Sequence, residues 1–155
     1  MKKLILTLAA ACVVSPAFAQ EKKIEITGND QMQFNTKAIE VTAGEKVSLT
    51  FKHIGVLPKT AMGHNVVILK PVDAAKPETA VPAFATKAMT AAKTEYIPED
   101  EASKARIIAH TKLIGGGESD TITFTAPEEA GAYPYICTFP GHFALMQGVL
   151  TVKAK

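Results

Sequence analysis

Short apolar runs separated by turn-forming residues recur along most of this 155-residue chain and favour a β-sheet protein. The clearest is Lys46–His53, in which apolar residues and His53 alternate strictly with polar ones. Strict alternation places the two sets of side chains on opposite faces of a strand. A continuous apolar run within Asn65–Lys70 is typical of a strand that is buried on both faces.

The other predicted strands are equally short and are bounded by Gly, Pro, Asp or Glu. They are Lys22–Thr27, the less regular Thr36–Val41, Arg106–His110, Asp120–Thr125, Tyr133–Cys137 and Gly148–Lys153. Seven or eight short strands with turn signals between them predict an all-β fold, a β-sandwich or barrel with Greek-key connections.

One long segment, Pro71–Ser103, interrupts the series of strands. Between about Thr79 and Ala92 its apolar residues recur at helical spacing, and Pro82 is acceptable in a first helical turn. These apolar residues are Val81, Phe84, Ala85, Ala88, Met89 and Ala92. The pattern predicts an amphipathic helix that packs against the sandwich, and we call Pro71–Ser103 the flap.

The first nineteen residues have the pattern of a secretory signal peptide. A basic start is followed by the apolar run Leu4–Val14 and by Ala17-Phe18-Ala19, which has the form of a cleavage site. Cleavage would leave residues 20–155 as a single domain, and no later stretch approaches membrane length. An alternative is a lipoprotein anchored through Cys12, although alanine fills the three preceding positions.

The charge of the chain argues against nucleic acid as a partner. Without Lys2 and Lys3, the 17 basic residues fall to 15, against 15 acidic ones, so the formal net charge falls from +2 to zero. The charges are scattered and form no basic stripe. Nucleic-acid binding needs such a stripe.

The residues that carry chemistry are concentrated in Cys137–Met146. Without Cys12, Cys137 is the only cysteine, so in an oxidising compartment it is buried, reactive or bound to a metal. His142 and Met146 follow it beyond a Pro140-Gly141 turn.

A second histidine, His64 in Met62-Gly63-His64-Asn65, stands at the start of the predicted buried strand. One thiolate, two imidazoles and one thioether are the ligand set that favours a blue-copper electron-transfer site.

Segments spread over nearly all of the chain resemble the azurins, small blue-copper proteins of the cupredoxin class. They are Gly28–Thr36, Leu57–Lys59, Met62–Asn65, Ile108–Gly115, Cys137–His142 and Ala144–Met146. The Gly28–Thr36 segment and the His110–Gly115 part of the fourth segment point to azurins rather than to cupredoxins in general. The resemblance implies one type 1 copper ion per chain, cycling between Cu(I) and Cu(II).

The resemblance also implies roles for individual residues. His64, Cys137 and His142 would form a trigonal plane around copper, with Met146 as one distant axial ligand and the Gly63 carbonyl as the other. Asn65 would hydrogen-bond to the Cys137–Thr138 segment, and the Phe139 N–H would point at the sulfur. His53 would be a satisfied core histidine near the site, and His110 a surface or outer-sphere histidine without a ligand role.

The chain departs from the azurin pattern at four places. Lys22 and Gly44 stand where azurins commonly have a disulfide, and Val66 replaces an expected buried tryptophan. Phe143 follows a ligand histidine where a small polar residue is usual, and the flap is several residues longer. The last two departures concern partner choice rather than fold.

The function predicted from these residues is that of a periplasmic one-electron carrier, not an enzyme. Apolar residues near the ligand loops would ring the outer edge of His142 as a docking patch. They are Met32, Leu57, Met62, Phe139, Phe143 and Leu145. The resemblance implies transient docking of a monomer to c-type cytochromes, periplasmic reductases or dehydrogenases.

Two other functions are compatible with a cysteine and histidines in this arrangement. One is a copper-handling module for delivery or storage, and the other is an enzyme with Cys137 as nucleophile and a histidine base. Zinc is a competitor for the same ligand set.

Overall fold

The computed structural model describes residues 21–155, so the predicted signal peptide lies outside the described residues. Nine strands dominate this part of the chain. They are β1 (Lys22–Asn29), β2 (Gln33–Phe34), β3 (Ala38–Thr42), β4 (Lys46–His53), β5 (Val67–Leu69), β6 (Ile107–His110), β7 (Ser119–Thr125), β8 (Gly131–Ile136) and β9 (Gln147–Lys153). The helices are α1 (Lys59–Met62), α2 (Ala80–Met89) and α3 (Glu101–Lys104), with 3₁₀ turns at Pro77–Thr79, Ala92–Thr94 and His142–Ala144.

The strands form two sheets that pack face to face. One has the order β2-β1-β4-β7 and the other the order β3-β9-β8-β5-β6. The β1–β4 and β3–β9 pairs are parallel, and the remaining pairs are antiparallel. This arrangement confirms the predicted all-β sandwich with a helical insertion, with β2 as a short ninth strand.

The main core lies between the sheets and follows the alternation seen in the sequence. In β4 the inward residues Val47, Leu49, Phe51 and His53 are buried. Phe34 packs edge-on against Phe51, with ring centroids 5.9 Å apart. Since this core also contains Cys137 and Met146, the loop that carries the predicted ligands is anchored in the main core at both ends.

The flap covers the outer face of the five-stranded sheet. From α2, Val81, Phe84 and Ala85 pack onto Val67, Leu69 and Ile136 of β5 and β8, forming a second apolar cluster. The helix is shorter than predicted, because Met89 is its last residue and is 41% exposed, and Ala92 is exposed beyond it. Among the helices of residues 21–155, none combines the length and apolar character that a membrane crossing requires.

Candidate metal centre

Three side chains that the sequence placed together meet at one end of the sandwich. His64, Cys137 and His142 offer ligand atoms that all lie within 4.8 Å of one another, and all three residues are buried. His64 and Cys137 are completely buried, whereas 4% of His142 remains exposed. The cluster therefore reaches solvent at His142.

The distances within the cluster fit a trigonal metal site. The Nδ1 atoms of His64 and His142 are 3.1 Å apart, and the Cys137 Sγ lies 3.9 and 3.8 Å from them. A point equidistant from the three atoms lies about 2.1 Å from each, close to the metal–nitrogen and metal–sulfur distances of about 2.0–2.3 Å known for such ligands. The donor set and its spacing thus suit a borderline-soft ion such as copper.

The loop that carries two of these side chains closes between the neighbouring strands β8 and β9. Cys137 follows β8 directly, and its N–H donates to the Met146 carbonyl at 2.9 Å. Gly141 has a φ of 81°, which permits the sharp turn that starts the His142–Ala144 3₁₀ turn. The Met146 N–H donates to the His142 carbonyl at 2.8 Å, so backbone hydrogen bonds lock the loop from both ends.

His64 reaches the cluster from a different part of the chain. It follows α1 and Gly63 and pairs with Ile114 through two backbone hydrogen bonds of 2.9 and 3.0 Å. Gly63 is needed for space, because a Cβ there would lie 2.6 Å from the Lys59 carbonyl oxygen and 3.0 Å from the Phe139 ring. The His64 Nε2–H donates to the Asn29 carbonyl at 2.9 Å, which leaves the Nδ1 lone pair facing the cluster.

Hydrogen bonds around the sulfur fix its surroundings. The Thr138 N–H donates to the Asn65 Oδ1 at 2.8 Å, and the Asn65 amide donates to the Thr138 hydroxyl at 2.8 Å. The backbone N–H groups of Asn65 and Phe139 act on the Cys137 sulfur in the direction that favours the thiolate and lowers its pKa. The predicted hydrogen bonds of Asn65 to the Cys137–Thr138 segment are therefore confirmed, and they join the two ligand-bearing segments. The influence of the Phe139 N–H on the sulfur agrees with its predicted position.

Burial sets the protonation of the three side chains. It raises the pKa of the Cys137 thiol to about 12, opposed by the N–H groups of Asn65 and Phe139. It lowers the pKa of His64 and of His142 to about 4, with the nearby His53 acting in the same direction. Both imidazoles are consequently neutral at pH 7, the form in which histidine binds metals.

We expect the metal-free protein to lose stability between pH 6.5 and pH 4. The usual pKa of 6.5 exceeds the folded pKa of about 4 for His64 and His142, so the unfolded chain binds protons first as the pH falls. The free energy of unfolding should drop by roughly a few kcal/mol, measured by urea denaturation across this range. In a His64→Gln/His142→Gln variant the dependence of the unfolding free energy on pH should become weaker over this range. An unchanged dependence would contradict its assignment to the two histidines.

The remaining predicted site residues lie as follows. Met146 is fully buried beside Gly28, whose added Cβ would lie 3.2 Å from the Met146 methyl carbon. The Gly63 carbonyl oxygen is 4.0 Å from the Cys137 Sγ. The ligand roles of Met146 and of the Gly63 carbonyl stay predictions.

The other two histidines lie outside the ligand cluster. His53 is buried, stacks on His64 with ring centroids 4.4 Å apart, accepts from the Gly55 N–H and donates to the Met62 carbonyl. Its two ring nitrogens are thus satisfied, as predicted for a core histidine. His110 is exposed at the end of β6 and is not part of the cluster.

The apolar residues assigned to a docking patch are only partly exposed. Leu57 and Leu145 are 39% and 52% exposed, whereas the other four are half-buried. Phe143 packs against the α2 cluster, which gives a structural reason for an aromatic residue after His142. Sequence reasoning missed the exposed Ile54 and Val56 of the β4–α1 loop.

Two contacts had no sequence signal. The Asn29 carbonyl that orients His64 is a backbone group, and any residue at that position could supply it. Tyr96, from the flap, packs edge-on against Phe139 at a centroid distance of 5.3 Å. Nothing in the spacing of the flap predicts that contact.

Comparison with known proteins matches this arrangement to copper-binding proteins. The family model for copper-binding proteins of the plastocyanin/azurin family matches residues 20–153. The azurin of Pseudomonas aeruginosa is 40% identical over 99% of each chain. Outer membrane protein H.8 of Neisseria gonorrhoeae is 44% identical over 82% of this chain, which spans only 65% of that protein. The structure of auracyanin A, described as a "blue" copper protein from Chloroflexus aurantiacus, superposes with a TM-score of 0.74 at 34% identity, covering 86% of this chain and all of that one.

Proposed function

Since the chain belongs to the plastocyanin/azurin family of copper-binding proteins and is a blue-copper electron-transfer protein, we propose that it carries single electrons between periplasmic redox proteins. The ion would be held by His64, Cys137, His142, Met146 and the Gly63 carbonyl. The observation that carries this proposal is the buried triangle of two Nδ1 atoms and one Sγ atom. Copper bound there would supply a one-electron Cu(II)/Cu(I) couple.

The protein would hold the ligand side chains at the same positions whether the copper is oxidised or reduced. The Asn29 carbonyl holds the His64 ring, and the Asn65–Thr138 hydrogen bonds hold the Cys137 segment. Backbone hydrogen bonds between His142 and Met146 hold the loop that closes the site. Because these contacts do not depend on the ion, little rearrangement would accompany gain or loss of an electron.

The electron would enter and leave through His142. Among the three proposed in-plane ligands it alone keeps an exposed fraction, and it lies in the same turn as the exposed Leu145. Complete burial of Cys137 and His64 opposes ready ligand exchange, which is the property that a copper-delivery module needs. The same burial keeps the thiol protonated in the metal-free chain and so opposes a nucleophilic role for Cys137.

We expect Leu145→Asp to slow electron exchange with a partner protein about tenfold, because a charge in a small apolar interface weakens docking. The rate can be followed by stopped-flow mixing with a c-type cytochrome. Val72→Asp is the matched control, since Val72 is 68% exposed but lies past the other end of β5. Equal slowing by both variants would contradict docking near His142.

The rate should depend only weakly on ionic strength. Without Lys2 and Lys3 the formal net charge is zero, so long-range steering by the whole molecule is small. A transient interface below about 1,200 Å² in total would allow the partner to leave. A steep fall of the rate with added salt would count against an apolar contact.

The periplasmic location rests on two supports. Residues 1–19 have the signal-peptide pattern, and one relative is named as an outer membrane protein. Cell fractionation with an antibody against the chain tests the location directly. Recovery in the cytoplasmic fraction at mature length would overturn it.

The function itself is tested by titrating the purified metal-free protein with Cu(II) and recording the visible spectrum. We expect one intense absorption band per chain, saturating at one equivalent and bleached by one electron per copper. Zinc at one equivalent should compete without producing colour. A protein that binds copper but stays colourless would overturn the carrier and favour metal handling.

A further inference from the structure

The flap contains two consecutive residues in an uncommon backbone conformation. Glu95 and Tyr96 have φ values of 54° and 64°, in the left-handed region. Within residues 21–155, Met32 is the one other non-glycine residue with positive φ. Residues with bulky side chains adopt this conformation rarely, and such outliers concentrate at functional sites.

Specific contacts hold this segment against the ligand-bearing part of the chain. The Glu95 carboxylate pairs with the Lys59 ammonium at 2.7 Å, and Lys59 is the first residue of α1, which leads into Gly63 and His64. The Tyr96 N–H donates to the Ala91 carbonyl at 2.8 Å. The strained segment is therefore fastened at both its backbone and its side chains.

The result of this conformation is that the Tyr96 ring lies on Phe139. The two rings meet edge to face, with an interplanar angle of 69°. The Phe139 ring is also tilted against the His142 imidazole, with ring centroids 4.7 Å apart, and a Cβ on Gly63 would lie 3.0 Å from the Phe139 ring. Phe139 is also two residues from Cys137, and its backbone N–H is one of the two N–H groups that act on the Cys137 sulfur.

We propose that Tyr96 is a positioning residue that, through Phe139, holds the Phe139 N–H on the Cys137 sulfur and so sets the reduction potential of the copper centre. The effect on the reduction potential rests on the proposed function, whereas the positioning of Phe139 is a property of the metal-free chain. A hydrogen bond to the sulfur withdraws charge from the thiolate and so disfavours the oxidised ion. Loss of that hydrogen bond lowers the potential.

The test compares Tyr96→Asn with Tyr96→Phe. Asparagine tolerates the left-handed conformation but removes the ring, whereas phenylalanine keeps the ring and its contact with Phe139. In the metal-free protein, hydrogen exchange of the Phe139 amide should accelerate at least about tenfold in Tyr96→Asn and stay unchanged in Tyr96→Phe. In the copper-loaded protein, the reduction potential should fall in the first variant and not in the second.

A reporter in the main core separates positioning from general destabilisation. The Leu49 amide in β4 should exchange at the wild-type rate in both variants. Equal acceleration at Phe139 and Leu49 would show global unfolding and overturn the proposal, as would an unchanged Phe139 amide in Tyr96→Asn. A colourless wild-type protein would overturn the copper function while leaving the amide comparison readable.

A second flap variant is the control for a general loosening of the flap, which could change the Phe139 amide exchange without any specific role of Tyr96. The ion pair between Lys87 and Asp100, 2.6 Å long, fastens α2 to the start of α3 without touching Tyr96. In Lys87→Met both the Phe139 amide exchange and the potential should equal those of the wild type. A change as large as that in Tyr96→Asn would overturn the specific role of Tyr96.

Discussion

Replacing Cys137 by serine is expected to abolish the intense visible absorption of the Cu(II) protein and to weaken Cu(I) binding more than about a hundredfold. Residues that only support a ligand already contribute ten- to hundredfold to metal affinity, and Cys137 supplies the soft sulfur that Cu(I) prefers. The sulfur lies 3.8 and 3.9 Å from the two imidazole nitrogens. Among the Cys, His, Asp and Glu side chains of residues 21–155, only His64 and His142 join it in the cluster. Spectral titration and competition with a Cu(I) chelator measure the two effects.

The same variant should remain folded, which makes its loss of function interpretable. Serine is nearly the same size as cysteine, and the N–H groups of Asn65 and Phe139 can bond to its oxygen. The free energy of unfolding of the metal-free protein should change by less than about 2 kcal/mol. His110→Gln is the matched control and should bind copper like the parent. A Cys137→Ser protein that keeps the intense band would refute the ligand assignment.

Truncating Phe84 to alanine should destabilise the protein by about 3–5 kcal/mol, the largest effect expected of a single side chain in the flap. Phe84 is 2% exposed and lies between α2 and the strands β5 and β8. Its ring also lies under the Arg106 guanidinium, at 5.7 Å. The unfolding midpoint of the metal-free protein should fall by roughly 10–20 °C, measured by calorimetry without the stabilising effect of bound copper.

Met89→Ala provides the comparison for Phe84→Ala on the same helix. Met89 is the last residue of α2 and is 41% exposed, so its truncation should cost less than about 0.5 kcal/mol. The contrast distinguishes a packed flap from a loosely attached one. Similar losses in the two variants would contradict the packing of α2 onto the five-stranded sheet.

The sequence predicted the sandwich because the strands carry a regular pattern. In β4 the alternation assigns each residue to a face, and the buried set agrees residue by residue. The continuous run around Val67–Leu69 is buried on both faces because the flap covers the outside of β5. The order of apolar and polar residues along a strand reflects which of them are buried, so the strands can be predicted without knowledge of the tertiary structure.

The misplaced residues are those whose environment is set by distant segments. Met89 fits the helical period but lies where the helix ends, so periodicity alone placed it in the wrong environment. Phe143 lies next to a predicted ligand, yet its ring turns toward the α2 cluster, which spacing cannot show. The left-handed Glu95–Tyr96 pair has no glycine or asparagine to signal it. It is held by the contact with Lys59, which is 36 positions from Glu95.

Of the nine described strands, β9 comes latest in the sequence, yet it lies between β3 and β8 in the interior of its sheet. The parallel β3–β9 pair joins residues near position 40 to residues near position 150. A growing polypeptide therefore cannot join β3 to β8 in this sheet until β9 has been synthesised, and the His142–Met146 segment just before β9 is fixed at the same stage. Contacts of such long sequence separation slow folding. The order of synthesis thus makes closure of the loop that carries Cys137 and His142 a late step in the assembly of this sheet, and removal of the seven-residue strand β9 would divide the sheet rather than trim its edge.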